Sequence, residues 1–520
     1  MHAPMKTILA FLLTSTLAAS AAVFQYTVPV ETAQKPSTAF LWLPADAPKI
    51  RGVVMAGMTL MEREMAKDAV IRQACAEQGL AIVFLKVGLG GTDLQKVLDD
   101  LAQVSGYAEL ATAPLLFVGH SAGGPQAHDM AVKYADRCFG LVQYRGGGPW
   151  HGAKPIAPGI PSLMMVGQFD EFGGMMRDEN GRENAWESSC EGMASYRSTN
   201  EARLASVVVE PGAGHFAWSD RNATYLALFL KKAGATIGRP IDFKSGWLTD
   251  LNLRPAGESA AYAAYKGDKG KTSWHFDEEL AKATLAYRVG LTGKKDQFIK
   301  WNDGFWVDAG TRYFFLNLKW VGDGQTFEVH PAYADTYPAP QQGGGPRWAQ
   351  TGQPAGHSTA PIQLKQVSGP VVPTGTNTFR VQFDNLASVS EGVGRVTFMA
   401  YSVGDAEYRY TEQVGMMPRG FGGLNAGKEQ AITFPAIGNL KAGSTLVELK
   451  ATSDVGLPVE YFVAYGPATI EAGKLKLAEI PSRATFPVEV KVVAYQFGSG
   501  VEPKAKAAKP VEQVIKIEKP

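Results

Sequence analysis

The chain is poor in cysteine and histidine and carries almost no net charge. Three cysteines in 520 residues allow at most one intramolecular disulfide and exclude a scaffold framed by disulfides. Cys138 with Cys190, both near loops, is the expected pair, and Cys75 reads as a small buried apolar residue in a helix. There is no CxxC and no His/Cys cluster, so neither a metal nor a cofactor is expected. Lys+Arg 51 against Asp+Glu 50 leaves a net charge of +1. That balance supplies no basic field for nucleic acid. Beyond the N-terminus no apolar run approaches the ~20 residues of a membrane-spanning helix. Charged residues are 19% and hydrophobic residues 45%, which excludes wholesale disorder. Turn formers are abundant, Gly 57 and Pro 31, as β-rich architecture requires. At roughly 100–200 residues per domain, the length suggests about three domains.

Residues 1–21 read as an export signal. Lys6 gives a basic start, residues 7–17 (TILAFLLTSTL) an apolar core, and Ala19-Ser20-Ala21 a small-x-small cleavage site. The mature chain is expected to begin near Ala22 or Val23 and to be periplasmic or secreted, without a lipid anchor because no cysteine stands at the cleavage point.

Residues 22–290 alternate short apolar runs with helical stretches. Strands are expected at 39–43, 53–56, 81–85, 115–118, 141–144, 163–166 and 207–210. Helices are expected at 62–78, at 92–105 with Thr92 as N-cap, and at 124–134, 183–204, 223–232 and 278–285. Continuous runs such as LLFV and LMMV suit a doubly wound, mostly parallel sheet covered on both faces. Residues 291–435 read as a β-rich domain of unassigned role, with a Gly/Pro/Gln-rich loop at 330–361. Residues 436–520 carry evenly spaced short strands, at 445–451, 459–464, 475–478 and 488–494, as in a β-sandwich.

Chemistry points to Gly119-His120-Ser121-Ala122-Gly123. The pentapeptide alone is a weak signal in so glycine-rich a chain. Its place after LLFV and before a helix is the strand–turn–helix context of a nucleophile elbow. Such a turn holds Ser121 in a strained conformation at the carboxyl end of the sheet, with the Ala122 N–H facing a developing oxyanion at a helix N-terminus. A serine hydroxyl needs a base, and His215 stands in the glycine-rich turn after the last strand, in Pro211-Gly212-Ala213-Gly214-His215-Phe216. An acid should orient that base. Asp170, in Gly167-Gln168-Phe169-Asp170-Glu171, follows the 163–166 strand, with Glu171 its neighbour and Asp220 a more distant alternative. A second oxyanion donor is expected from Met58, at the end of Val53-Val54-Met55-Ala56-Gly57-Met58. Trp150, Phe169 and Trp218, with Phe172 and Trp186, are candidates to line a substrate pocket, and the polar insertion at 173–191 is placed to rim it.

With these residues in view, the segment from about 38 to 232 resembles the α/β-hydrolase superfamily, in its GHSAGG elbow, GQFD acid turn and GAGHF histidine turn. It looks most like secreted bacterial esterases of the dienelactone-hydrolase, acetyl-xylan-esterase and polyhydroxybutyrate-depolymerase neighbourhood. It departs from the hormone-sensitive-lipase-like esterases in carrying MAGM where they carry HGGG, and from the dienelactone hydrolases in a serine nucleophile where they use cysteine. The resemblance implies a Ser-His-Asp carboxylesterase working through an acyl-enzyme, without cofactor, on a small-molecule or polysaccharide ester. The stretches ATSDVGLPV and GPATI (451–459 and 466–470) resemble bacterial immunoglobulin-like modules. Two other readings stay open: a serine peptidase on the same fold, and a non-catalytic surface protein on a hydrolase scaffold.

Overall fold

The computed structural model describes residues 23–32, 36–57, 60–152, 154–170, 185–251, 258–290, 293–302, 304–305, 315–316, 318–338, 350–386, 396–417, 423–443 and 446–520. The apolar runs of the first half become strands of one sheet. They are β1 (Tyr26–Val30), β2 (Ser37–Trp42), β3 (Gly52–Gly57), β4 (Leu80–Leu85), β5 (Leu115–His120), β6 (Cys138–Tyr144), β7 (Ser162–Gly167) and β8 (Ala205–Glu210). Their order is β1-β2-β4-β3-β5-β6-β7-β8. β1 pairs antiparallel with β2, and β2 antiparallel with β4. Every later pair is parallel. All residues of β3, β4, β5, β7 and β8 are buried, as continuous Val/Leu/Ile runs covered on both faces must be.

The helices are α1 (Leu60–Lys67), α2 (Ala69–Glu77), α3 (Leu94–Ser105), α4 (Gly123–Lys133), α5 (Ala185–Ser198) and α6 (Asp220–Ala235). Alternate residues of β3 serve opposite layers. Val53 and Met55 pack with α3 and α4, and Val54 and Ala56 with α1, α2 and α6. This sheet order, with its antiparallel second strand and helices on both faces, is the α/β-hydrolase fold. The strand order reverses around β3, between β4 and β5, and the carboxyl ends of the strands at such a reversal are where α/β sheets place their ligand sites.

Three local expectations are corrected. The helix expected over 62–78 is two helices, broken at Asp68. Its carboxylate accepts from the N–H groups of Val70 (2.8 Å) and Ile71 (3.3 Å) and so starts a new helix. The cap of α3 is Asp93, not Thr92, whose hydroxyl donates to the Gly88 carbonyl instead. The three cysteines are free. Cys138 opens β6 beside one core cluster, and Cys190 packs from α5 into another.

Beyond the main sheet the chain is rich in small, mostly antiparallel sheets. A five-stranded one runs through Gly304–Phe305, Phe315–Leu316, Thr411–Met416, Thr397–Ser402 and Gln363–Ser368. A four-stranded and a three-stranded sheet hold most of the strands after residue 439. Their cores are shared. Phe327, Phe379 and Phe398 pack in one cluster with Phe462, Val493 and Tyr495, and Ile515 and Ile517 join Leu41, Leu98 and Tyr107 of the hydrolase layer. Among the described residues no helix is long and apolar enough to cross a membrane.

Candidate active site

Ser121 follows β5 and has φ 53°, a left-handed backbone that a non-glycine residue adopts at a cost. The turn is held by Ser121 N–H to the Tyr144 carbonyl (3.0 Å) and Gly124 N–H to the Ser121 carbonyl (3.0 Å). Glycine is required around it. A Cβ on Gly119 would stand 2.1 Å from the Gly123 carbonyl oxygen, and one on Gly123 would stand 2.4 Å from Glu62 Oε1. Ala122 is the N-cap residue of α4 and makes no side-chain cap. The expected second donor, Met58, lies outside the described residues, as do Glu171, Phe172 and residues 173–184; the side chain of Trp186 is likewise not described.

Asp170 and His215 are brought together. His215 Nδ1 lies 2.9 Å from Asp170 Oδ1 and 3.0 Å from Oδ2, with both residues 3% exposed. The acid turn after β7 and the histidine turn after β8 are laced by backbone. Gln168 N–H donates to the Glu210 carbonyl (2.9 Å) and Phe169 N–H to the Ala213 carbonyl (2.8 Å). Gly212 N–H donates to Gln168 Oε1 at 2.8 Å. Asp220 is exposed at the start of α6 and paired with Lys365, away from this contact.

His120 ties the elbow to the base. Its Nε2 lies 2.9 Å from the His215 carbonyl and so carries the proton it donates. Its ring packs between His215 (4.8 Å) and Tyr144 (5.7 Å). Complete burial, then the neighbouring His215, pushes the His120 pKa well below the ordinary histidine value. It is therefore a neutral support. Its backbone N–H donates to Glu62 Oε1 at 2.6 Å.

The candidate pocket residues divide. Phe169 is half-buried and faces Phe298 at 6.0 Å, which faces Tyr337 at 5.1 Å, so the β-rich region reaches the acid turn through aromatic rings. Trp150 is half-buried against α5, with its ring 2.5 Å from where a Cβ on Gly192 would stand. Trp218 is a core residue, 5% exposed, packed on Tyr144, with its indole N–H on Asp68 Oδ2 at 3.1 Å.

Sequence reasoning missed Glu62, Arg145 and Glu412. Glu62 reads as an ordinary acidic residue near a helix start and is 1% exposed. Arg145 follows β6 with φ 53° and is 4% exposed, and its guanidinium pairs with Glu210. Burial works against that charge, but Tyr144, Glu210, Glu412 and Asp170 hold the Arg145 pKa above its ordinary value. Among the described residues no group of three or more His, Cys, Asp or Glu could hold a metal ion.

No family model matches the chain and no curated protein is similar to it in sequence. Solved structures align with about two-fifths of it. An alpha-beta serine hydrolase homologue from Coxiella burnetii is 15% identical, covers 41% of this chain and 99% of its own, and has a TM-score of 0.28. An S-formylglutathione hydrolase from Agrobacterium tumefaciens is 14% identical, covers 41% and 94%, and has a TM-score of 0.31. An esterase domain of a Rhodothermus marinus protein is 14% identical, covers 40% and 95%, and has a TM-score of 0.26.

Proposed function

We propose that the chain is an exported serine carboxylesterase in which Ser121 is the nucleophile, His215 the general base and Asp170 its orienting acid. The observation that carries this reading is the buried Asp170–His215 pair, 2.9 Å and 3.0 Å, at the same end of the sheet as a serine held at φ 53°. With Nδ1–H donated to Asp170, His215 presents Nε2 as the basic nitrogen. Nε2 takes the proton of Ser121 Oγ as that oxygen attacks the ester carbonyl. The Ala122 N–H, at a helix N-terminus without a side-chain cap, stabilises the oxyanion, with Met58 N–H as the second donor. His215 returns the proton to the leaving alkoxide, and the alcohol departs. A water deprotonated by His215 then attacks the acyl-enzyme, and the acid leaves as Ser121 regains its proton.

Phe169 and Trp150 are proposed to line the acyl or alcohol subsite. Residues 1–21 are proposed to direct export, and residues 436–520 to form an immunoglobulin-like module. An acylated polysaccharide is the proposed natural substrate class.

The test is initial rates on p-nitrophenyl acetate, butyrate and octanoate. Ser121→Ala is expected to lower kcat by about 10^4-fold or more, and Asp170→Asn by about 10^4-fold through loss of the productive tautomer. Equal rates in wild type and Ser121→Ala would refute the assignment. Cleavage of peptide substrates with no esterase activity would favour a peptidase.

A further inference from the structure

The histidine turn is gripped from outside the hydrolase sheet. Gly212, three residues before His215, has φ 67°. Its carbonyl accepts the Glu412 N–H at 3.0 Å. The Tyr410 carbonyl oxygen would be 2.4 Å from a Cβ at Gly212, so the strand Thr411–Met416 lies directly on this backbone. On its other side the Gly212 N–H is held by Gln168 of the acid turn. The turn that carries His215 is therefore contacted by a strand some 200 residues further along the chain.

The same strand contributes a buried carboxyl. Glu412 is 3% exposed, and its Oε2 accepts the Tyr410 hydroxyl at 2.5 Å. Its Oε1 is 4.0 Å from Arg145 Nη2, and that Arg145 nitrogen also pairs with Glu210 Oε2. Glu210 Oε1 accepts from Arg221 Nη2 (2.8 Å), and Glu210 Oε2 from Asn222 Nδ2 (2.6 Å). The Arg221 guanidinium lies over the Tyr410 ring at 4.2 Å. Arg145 follows β6, Glu210 ends β8 and Glu412 comes from the β-rich region. The cluster thus ties the end of β8, from which the histidine turn departs, to the residue after β6 and to the β-rich region.

We propose that Glu412 is a positioning residue for His215, so that the β-rich region completes the catalytic site rather than decorating it. The proposal rests on the Ser121–His215–Asp170 reading above. Burial, followed by the Glu210 charge, pushes the Glu412 carboxyl up to about 8, against the opposing Arg145 and Arg221. The carboxyl therefore holds its proton to higher pH than an ordinary glutamate, and glutamine imitates that neutral form, which keeps an oxygen for the Tyr410 hydroxyl.

The test uses the full chain with Glu412→Ala, Glu412→Gln, Tyr410→Phe and Ser121→Ala. Two readouts are taken, kcat and KM on p-nitrophenyl acetate, and the downfield Nδ1–H proton resonance of His215, assigned with His215→Asn. Glu412→Ala is expected to lower kcat by about tenfold or more, with KM within about twofold, and to weaken or abolish the resonance. Glu412→Gln is expected to keep kcat within about threefold of wild type and to retain the resonance. Tyr410→Phe removes one hydroxyl from the cluster and is expected to lower kcat by about threefold at unchanged KM, which keeps the proposal open to refutation if Glu412→Ala does not fold. Wild-type kcat and resonance in folded Glu412→Ala, or in Tyr410→Phe, would overturn it. Undiminished activity in Ser121→Ala would instead refute the nucleophile, and the resonance would still decide the role of Glu412.

Discussion

Ser121 stands in a conformation that costs an ordinary residue about 1–2 kcal/mol, because the elbow leaves no other way to turn from β5 into α4. That strain is measurable. Ser121→Gly and Ser121→Ala both lose the hydroxyl, but only glycine relaxes at φ 53°. Glycine also gains freedom in the unfolded chain, so the net expectation is that Ser121→Gly is more stable than Ser121→Ala by up to about 1 kcal/mol in urea unfolding. Gly119→Ala goes the other way. Its Cβ would meet the Gly123 carbonyl at 2.1 Å, backbone against backbone, and about 3 kcal/mol or more of stability should be lost. Glu412 adds a pH dependence. Its carboxyl titrates from 4.5 when unperturbed to about 8 here, so the folded state keeps a proton that the unfolded chain releases. The stability it contributes is complete below about pH 4.5 and is lost as pH rises through about 8. The urea midpoint of wild type relative to Glu412→Gln should fall across that window; parallel curves would show that Glu412 ionises normally.

At the scale of elements, the break between α1 and α2 shows a side chain overriding periodicity. The apolar spacing of residues 62–78 suits one helix, but Asp68 binds the next two free N–H groups and takes the Trp218 indole as well. Asp68→Ala should cost about 1 kcal/mol by chemical denaturation, and Asp68→Asn, which keeps the cap, much less. The elbow, the acid turn and the histidine turn were legible because each is a short local pattern following an apolar run. The residues expected from them stand after β5, β7 and β8. Glu62, Arg145 and Glu412 were not legible. Each acts on backbone or charge distant in sequence, Glu62 on His120 across 58 positions and Arg145 on Glu210 across 65. No spacing rule connects such pairs.

At the scale of the molecule, the β-rich half is not hung on a linker. Tyr107 of the hydrolase layer is fully buried, and Arg483 covers its ring at 5.0 Å while pairing with Glu109 at 2.8 Å. Val490, Ile515 and Ile517 share a cluster with Leu41 and Leu98. A chain ended at residue 435 would expose that apolar face. It should bind a hydrophobic dye and lose its cooperative thermal transition; a truncated chain melting like the full one would show the halves to be independent. The strands expected at 459–464 and 488–494 are found as Glu460–Tyr465 and Val488–Tyr495. The closing strand Val511–Glu518, which buries Ile515 and Ile517 but exposes Val514, is an addition to the expected strands, because adjacent apolar residues blur its alternation.

By itself the sequence determined the class of the first half, since continuous apolar runs separated by helical stretches have few ways to be buried other than a doubly covered, mostly parallel sheet. It also determined where a nucleophile elbow can form, because sharp turns need glycine at set positions. Only the tertiary structure decided that the cysteines stay apart, that Trp218 is core, that His120 is a neutral support, and that a strand of the β-rich region reaches the histidine turn and buries a carboxyl near Arg145. Those outcomes depend on which distant surfaces meet, and burial and charge pairing act only once they have met.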